Sequence, residues 1–220
     1  MGLTRATTAI VFAGGDRPTR DALVGLPTDA LVIAADSGVE HALALECHVD
    51  LVIGDLDSAD PGAVADAVAS GAEVDRHPAA KDATDLELAL LAARDRGADD
   101  IVVVGGHGGR LDHFLANALL LAAPQLASVR VRARMGDGEI TVVRHRSELT
   151  GRRGDLCSLL PVAGPVHGVH TEGLRYALDH ETLHPGSTRG VSNEFLATTA
   201  VVAVEAGVLL AVVPQFRKDS

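Results

Sequence analysis

The amino-acid sequence predicts an α/β fold, with an N-terminal mostly parallel sheet flanked by helices, followed by a C-terminal antiparallel β-sandwich domain. Three observations predict it. Over residues 8–134, short β-branched runs alternate with Ala- and Leu-rich helical patterns, the rhythm of parallel strands joined by crossover helices. At Met135-Gly136-Asp137-Gly138 the helical pattern stops. Beyond that point the chain reads as short strands between Gly- and Pro-containing turns. These shifts set domains at 1–136 and 137–220.

In order, the strand runs of the first half are Ile10-Val11-Phe12, Leu31-Val32-Ile33, Leu51-Val52-Ile53, Ile101-Val102-Val103-Val104 and Val129-Arg130-Val131. Helical patterns lie between them at about 38–46, 61–70, 84–96 and 111–122. Pro61 suits a first helical position, with Asp60 or Ser58 as its cap. Thr84 followed by Glu87 is a capping box for the helix ending near Gly97. In the last helix Arg110, His113 and Asn117 form a polar stripe, and Leu111, Leu115, Ala118 and Ala122 follow another face. In the second half, residues 139–146 alternate and 156–162 are an apolar run. Residues 199–204 and 208–213 flank Glu205-Ala206-Gly207 as a predicted hairpin. Residues 216–220 read as a loose tail.

Composition narrows the function. A hydrophobic content of 47% supports a real core, and the net charge of -11 excludes a nucleic-acid partner, whose phosphates need a basic surface. Cys47 and Cys157 are far apart, so neither a disulfide framework nor a cysteine-rich metal site is expected, and the protein is read as cytoplasmic. No leader and no apolar run of about 18 residues is evident, so neither secretion nor a membrane partner is expected. Aromatic residues make up only 2%, which weakens any reading built on stacking platforms.

Ligands of parallel sheets bind beyond the carboxyl ends of the strands, so the residues that follow each apolar run are informative. They are Gly14-Gly15-Asp16, Asp36-Ser37-Gly38, Gly54-Asp55-Leu56-Asp57-Ser58 and Gly105-Gly106-His107-Gly108-Gly109-Arg110. Turn and cap chemistry explains any one of them, but less easily all of them at one edge. Asp55 and Asp57 are two apart, which in extended backbone puts both carboxylates on one side. Such a pair repels unless a cation lies between, and magnesium, held by carboxylates together with nucleotide phosphates, is the natural one. An acidic turn ahead of a helix is the plainer alternative. In Lys81-Asp82-Ala83-Thr84-Asp85, Asp85 reads as a first-turn carboxylate or a further metal ligand, and Lys81 as a counter-charge for phosphate. The glycine cluster at 105–109 lacks the Lys-Ser or Lys-Thr of a P-loop, yet its amides can cradle an anion. Asp112 is placed to cap, ligate or accept a proton. His167 and His170 point to opposite faces of a strand, with no third ligand in view.

The chain resembles the thiamine pyrophosphokinase family. The resemblance runs through Ala35-Asp36-Ser37-Gly38, Gly54-Asp55-Leu56-Asp57-Ser58, Lys81-Asp82-Ala83-Thr84-Asp85, Gly109-Arg110-Leu111-Asp112-His113, Thr171-Glu172-Gly173-Leu174-Arg175-Tyr176 and Val191-Ser192-Asn193-Glu194, in the family's order. It implies pyrophosphoryl transfer from ATP to thiamine, giving thiamine diphosphate and AMP, and a homodimer with the site between subunits. The first domain would be catalytic and the second would bind thiamine. Asp55, Asp57 and Asp85 match magnesium-binding carboxylates, and Asp36 and Asp112 match further acidic positions. Lys81 and Arg110 match positions facing the phosphates, with Thr84 and Asn117 beside them, and Ser192 with Asn193 match the thiamine-contacting segment. Asp112 or Asp85 is the expected proton acceptor. The residues alone also permit a metal-dependent nucleotide hydrolase or a non-catalytic nucleotide- or thiamine-binding module.

Overall fold

A computed structural model describes residues 7–80 and 82–214. The tail expected at 216–220 lies outside the described residues. The chain divides into two compact units, one ending at Gly136 and the other beginning at Asp137.

The first unit contains strands β1 (Thr8–Ala13), β2 (Leu31–Ala35), β3 (Leu51–Gly54), β4 (Glu73–Arg76), β5 (Asp100–Gly105) and β6 (Arg130–Met135). Its helices are α1 (Gly38–Ala44), α2 (Pro61–Ala69), α3 (Asp85–Asp95) and α4 (Leu111–Leu120). All strand pairs in this unit are parallel, in the order β4-β3-β2-β1-β5-β6. The central strands are buried on both faces, which is why they read as continuous β-branched runs rather than alternating ones. Phe12, Val32, Ala34, Val52 and Val102 share a core with Val39 and Ala42 of α1 and Ala67 of α2. Their sequence neighbours Val11, Ile33 and Val103 point the other way, toward the layer in which α3 buries Leu86, Ala89, Leu90 and Ala93. The caps form as the sequence predicts. Asp60 Oδ1 accepts from Gly62 N at 3.0 Å, with Pro61 opening α2, and Thr84 Oγ1 accepts from Glu87 N at 3.2 Å.

Two departures in this unit share one cause, charged residues that mask strand character. Strand β4, Glu73-Val74-Asp75-Arg76, is exposed throughout at the sheet edge, where charges discourage pairing with another chain. Strand β6 runs on to Met135 because its arginines have partners. Arg130 and Arg132 bind the buried Asp100 carboxylate at 3.1 and 2.9 Å, and buried Arg134 donates to the carbonyls of Ala22 and Val24 at 2.8 and 2.9 Å.

The second unit consists of β7 (Gly138–Val143), β8 (Arg146–Thr150), β9 (Leu156–Glu172), β10 (Glu181–Leu183), β11 (Asn193–Glu194), β12 (Thr199–Ala203) and β13 (Ala206–Val213). Every pairing is antiparallel. The 17-residue β9 belongs to two layers. Its residues 158–162 pair with β13, which pairs with β7, and its residues 170–172 pair with β12, which pairs with β8. Ala163 (φ 62°) and Gly164 (φ 140°), followed by Pro165, mark the change of direction. Between the layers lie Val143, Leu159 and Leu209 from one and Leu149, Ala200 and Val202 from the other, with Phe195 and Leu183. The predicted hairpin does not form. Strands β12 and β13 are neighbours in sequence but lie on either side of β9, which satisfies an edge of each, and Glu205 carries the chain between layers by donating from its N–H to His167 O at 3.0 Å. The alternating stretch 139–146 is likewise not one strand: it covers β7 from its second residue to its end and reaches only the first residue of β8. Among the described residues, no helix is long and apolar enough to cross a membrane.

Candidate active site

The first unit's strand order reverses direction between β1 and β5, and the loops leaving the strand ends there form the rim where ligands of such sheets bind. Asp36 leaves β2 in the left-handed region, φ 47°, and its N–H donates to Ile53 O at 3.0 Å, which holds it beside the end of β3. Asp55 and Asp57 come together, though not by strand pleat as the sequence suggests. The chain turns at Leu56, φ 61°, and Asp57 N approaches Asp55 Oδ1 at 3.4 Å. The result is that Asp36, Asp55 and Asp57 each present an oxygen within 4.8 Å of the others.

Asp85, in the first turn of α3, abuts this group. A Cβ on Gly54 would lie 2.8 Å from Asp85 Oδ1 and 3.4 Å from Asp36 Cβ, so only glycine fits there, at φ 145°. Asp36 Oδ1 is shut off from solvent and has no hydrogen-bond partner. Burial pushes the Asp36 carboxyl above its ordinary range, and the charges of Asp85, Asp57 and Asp55 add to the rise against a hydrogen bond from the Ser37 backbone. An orphaned oxygen amid converging carboxylates is a hard, all-oxygen donor set of the type that holds a divalent cation. The sequence sets Asp36 among the further acidic positions rather than in this group. Its position directly after the β2 run was the available signal.

Across the switch point, the glycine loop after β5 is tied to the loop after β1. Gly106 N donates to Gly14 O at 2.8 Å and Asp16 N to His107 O at 2.7 Å. Asn117 reaches back from α4 so that its Nδ2 donates to Gly106 O at 3.1 Å. Arg110 and Asp112 grip each other through Nε–Oδ1 at 3.1 Å and Nη2–Oδ2 at 2.6 Å. The Arg110 hydrogen bonds hold the exposed Asp112 carboxyl down to about 2. No residue of α4 is buried, and Leu111, Leu115 and Leu119 are 70, 52 and 58% exposed, so its apolar stripe is the open face. Lys81 lies outside the described residues, and Thr84 serves as the α3 cap described above.

In the second unit, a cavity of about 410 Å³ is lined by Tyr176, Ser187, Thr188, Arg189, Gly190, Val191 and Asn193. Asn193, 2% exposed, spends its amide on the backbone. Its Oδ1 accepts from Tyr176 N and Glu194 N, both at 2.9 Å, and its Nδ2 donates to Tyr176 O at 2.8 Å. Ser192 sits at φ 57° with its N–H on Ser158 Oγ at 3.1 Å. Thr171 is a buried residue of β9 whose Oγ1 accepts from Leu178 N at 2.9 Å. Thr188 and the backbone of Gly190 carried no distinguishing sequence signal.

Comparison with known proteins gives the same division. Residues 26–133 match the model of the thiamin pyrophosphokinase catalytic domain, and residues 140–209 match that of the thiamin pyrophosphokinase vitamin B1 binding domain. Thiamine pyrophosphokinase of Bacillus subtilis is 28% identical over 142 residues, 61% of this chain and 64% of the relative. Thiamine pyrophosphokinase 1 of rice, Oryza sativa subsp. japonica, is 28% identical over 155 residues, 66% of this chain and 58% of the relative. The crystal structure of the Bacillus subtilis thiamine pyrophosphokinase superposes with a TM-score of 0.81 at 26% identity, covering 96% of this chain and 100% of that one. That of Geobacillus thermodenitrificans thiamin pyrophosphokinase gives 0.78 at 26% identity, covering 97% and 99%. With both domain models matched in order along the chain, this protein belongs to the thiamin pyrophosphokinase family.

Proposed function

We propose that this chain transfers a pyrophosphoryl group from ATP to the hydroxyl of thiamine, releasing AMP and thiamine diphosphate. The observation that carries the reading is the convergence of Asp36, Asp55 and Asp57 at the strand ends, with Asp36 Oδ1 buried and unsatisfied. Magnesium fits that donor set, and when bound it supplies charge neutralisation to the polyphosphate. Asp55, Asp57 and Asp36 are the proposed magnesium-holding residues, with Asp85 beside them. Arg110 is the proposed phosphate-facing cation, with Asp112 orienting its guanidinium, and Asn117 fixes the glycine loop whose amides face the anion. The hydroxyl oxygen of thiamine attacks the β-phosphorus as AMP leaves with the bridging oxygen. Asp85 is the proposed acceptor of the hydroxyl proton, because the grip of Arg110 leaves Asp112 a weak base. The acidic rim also suits the permanent positive charge of the thiazolium ring.

For thiamine, the proposed recognition surface of the second unit is the cavity bordered by Tyr176, with the 191–194 segment as its wall. A homodimer is proposed from the open leucine stripe of α4, an exposed apolar face of the kind that marks association. A cytoplasmic location is proposed from the two free thiols, Cys47 and Cys157, the latter pushed up to about 12 by burial. The test is product analysis with ATP, magnesium and thiamine. AMP and thiamine diphosphate in equal amounts are expected. ADP in place of AMP would sink the assignment, and AMP release undiminished without thiamine would make the protein a nucleotide hydrolase.

A further inference from the structure

Away from the rim, metal-ligating side chains meet a second time, in the β-rich unit. His170 lies near the end of β9, and the loop that follows returns to place Asp179 and His180 against it, immediately before β10. Each of the three offers a ligand atom within 4.8 Å of the others. His170 Nδ1 is 3.4 Å from Asp179 Oδ1, His180 Nε2 is 4.0 Å from the same oxygen, and the two imidazoles are 5.7 Å apart. This pairing could not be read from the sequence, where His170 had only His167 for company. In the structure His167 turns instead to Thr182 Oγ1 at 3.2 Å.

The second sphere is also in place. His180 Nδ1 lies 2.8 Å from Glu205 Oε1, a contact that puts the ring proton on Nδ1 and leaves the Nε2 lone pair facing Asp179. His170 Nε2 lies 3.7 Å from Glu172 Oε1, while its Nδ1 is buried without a hydrogen-bond partner. Glu172, Asp179 and Glu205 thus surround two imidazoles, an excess of negative charge when the rings are neutral.

We propose that His170 Nδ1, His180 Nε2 and the Asp179 carboxylate form a binding site for a zinc-type divalent transition metal, with Glu205 and Glu172 orienting the two rings. Two imidazoles and one carboxylate are borderline ligands that favour zinc over magnesium or calcium. Tetrahedral zinc with bonds of about 2.0–2.1 Å sets its ligand atoms roughly 3.3 Å apart, close to the 3.4 and 4.0 Å found here. The metal would fasten the far end of the 173–180 loop to β9. That loop carries Tyr176, a wall of the cavity described above.

The test is calorimetric titration of the full-length chain with zinc chloride in excess magnesium, which occupies the acidic rim. One zinc per chain is expected, with affinity reduced at least tenfold by His170→Gln or His180→Gln and about 10–100-fold by Glu205→Gln, and unchanged by Asp57→Asn. Zinc should raise the Tm of the parent chain and leave that of His180→Gln unmoved. Asp179→Asn alters an 85% exposed side chain and supplies a third ligand variant should a histidine variant fail to fold. Absence of stoichiometric heat, or unchanged affinity in the ligand variants, would overturn the site and leave only an imidazole–carboxylate cluster.

Discussion

Asn193 and Tyr176 are locked together by a reciprocal pair of hydrogen bonds, Tyr176 N to Asn193 Oδ1 at 2.9 Å and Asn193 Nδ2 to Tyr176 O at 2.8 Å. The amide therefore acts on the loop, and the loop presents the tyrosine ring to the cavity. Asn193→Ala leaves these backbone groups without their partner, at a cost of about 1–3 kcal/mol. Urea unfolding should show that loss, and the KM for thiamine should rise with it. A raised KM at unchanged stability would show direct contact between Asn193 and substrate instead.

Asp57 is exposed and stands in a cluster of like charges. Asp57→Asn is expected to abolish turnover while leaving the urea midpoint equal to or above that of the parent, because removing one repelling charge relieves the others. An unfolded variant by circular dichroism would make the residue structural.

The raised Asp36 carboxyl sets a pH dependence for the metal-free protein. Its folded-state value lies above the unfolded one, so its contribution to stability is fully present below the unfolded pKa and is lost as pH rises through the folded pKa. Asp36→Asn should accordingly raise Tm at neutral pH and have no such effect under strongly acidic conditions. Magnesium should narrow the neutral-pH difference by stabilising the parent. A pH-independent gap would show that charge is not its cause.

Gly54 leaves no room beside Asp85. Gly54→Ala must adopt φ near 145° and displace the Asp85 carboxylate from 2.8 Å, a strain of about 1–3 kcal/mol. Magnesium-dependent activity should fall at least tenfold while the second unit's fold persists by near-native β-sheet circular dichroism. Full activity would mean that Asp85 can move without consequence.

Leu115 is the middle residue of the open stripe on α4. Leu115→Lys should convert a dimer to a monomer in sedimentation velocity with little change in the Tm of the isolated species, since Leu115 is 52% exposed within the chain. A dimer unaffected by the charge would place the interface elsewhere.

How far the sequence discloses these features depends on how local their causes are. The parallel strands were legible because burial on both faces demands uninterrupted β-branched runs, as in Ile101 to Val104, and the α2 and α3 caps because Asp60 and Thr84 act within three residues of themselves. Asp55 and Asp57 were legible as a carboxylate pair because they follow a strand end two residues apart, whereas the entry of Asp36 into the group depends on β2 lying alongside β3, which no local pattern reports. Strand β4 was hidden by its charges. The failed hairpin was hidden for a different reason: whether β12 and β13 pair depends on β9, more than 25 residues earlier, and no local pattern reports which partner a strand edge takes. The meeting of His170 with His180 has the same origin, since a loop's return path is set by the strands at its two ends.

The membership of β9 in both layers of the second unit has a mechanical outcome. Because one continuous strand is hydrogen-bonded to β13 along one stretch and to β12 along another, neither layer has a hinge at which to peel away by itself. Amide protons of β12 and of the central β13 residues should therefore exchange with deuterium through one shared opening event, with a common protection energy.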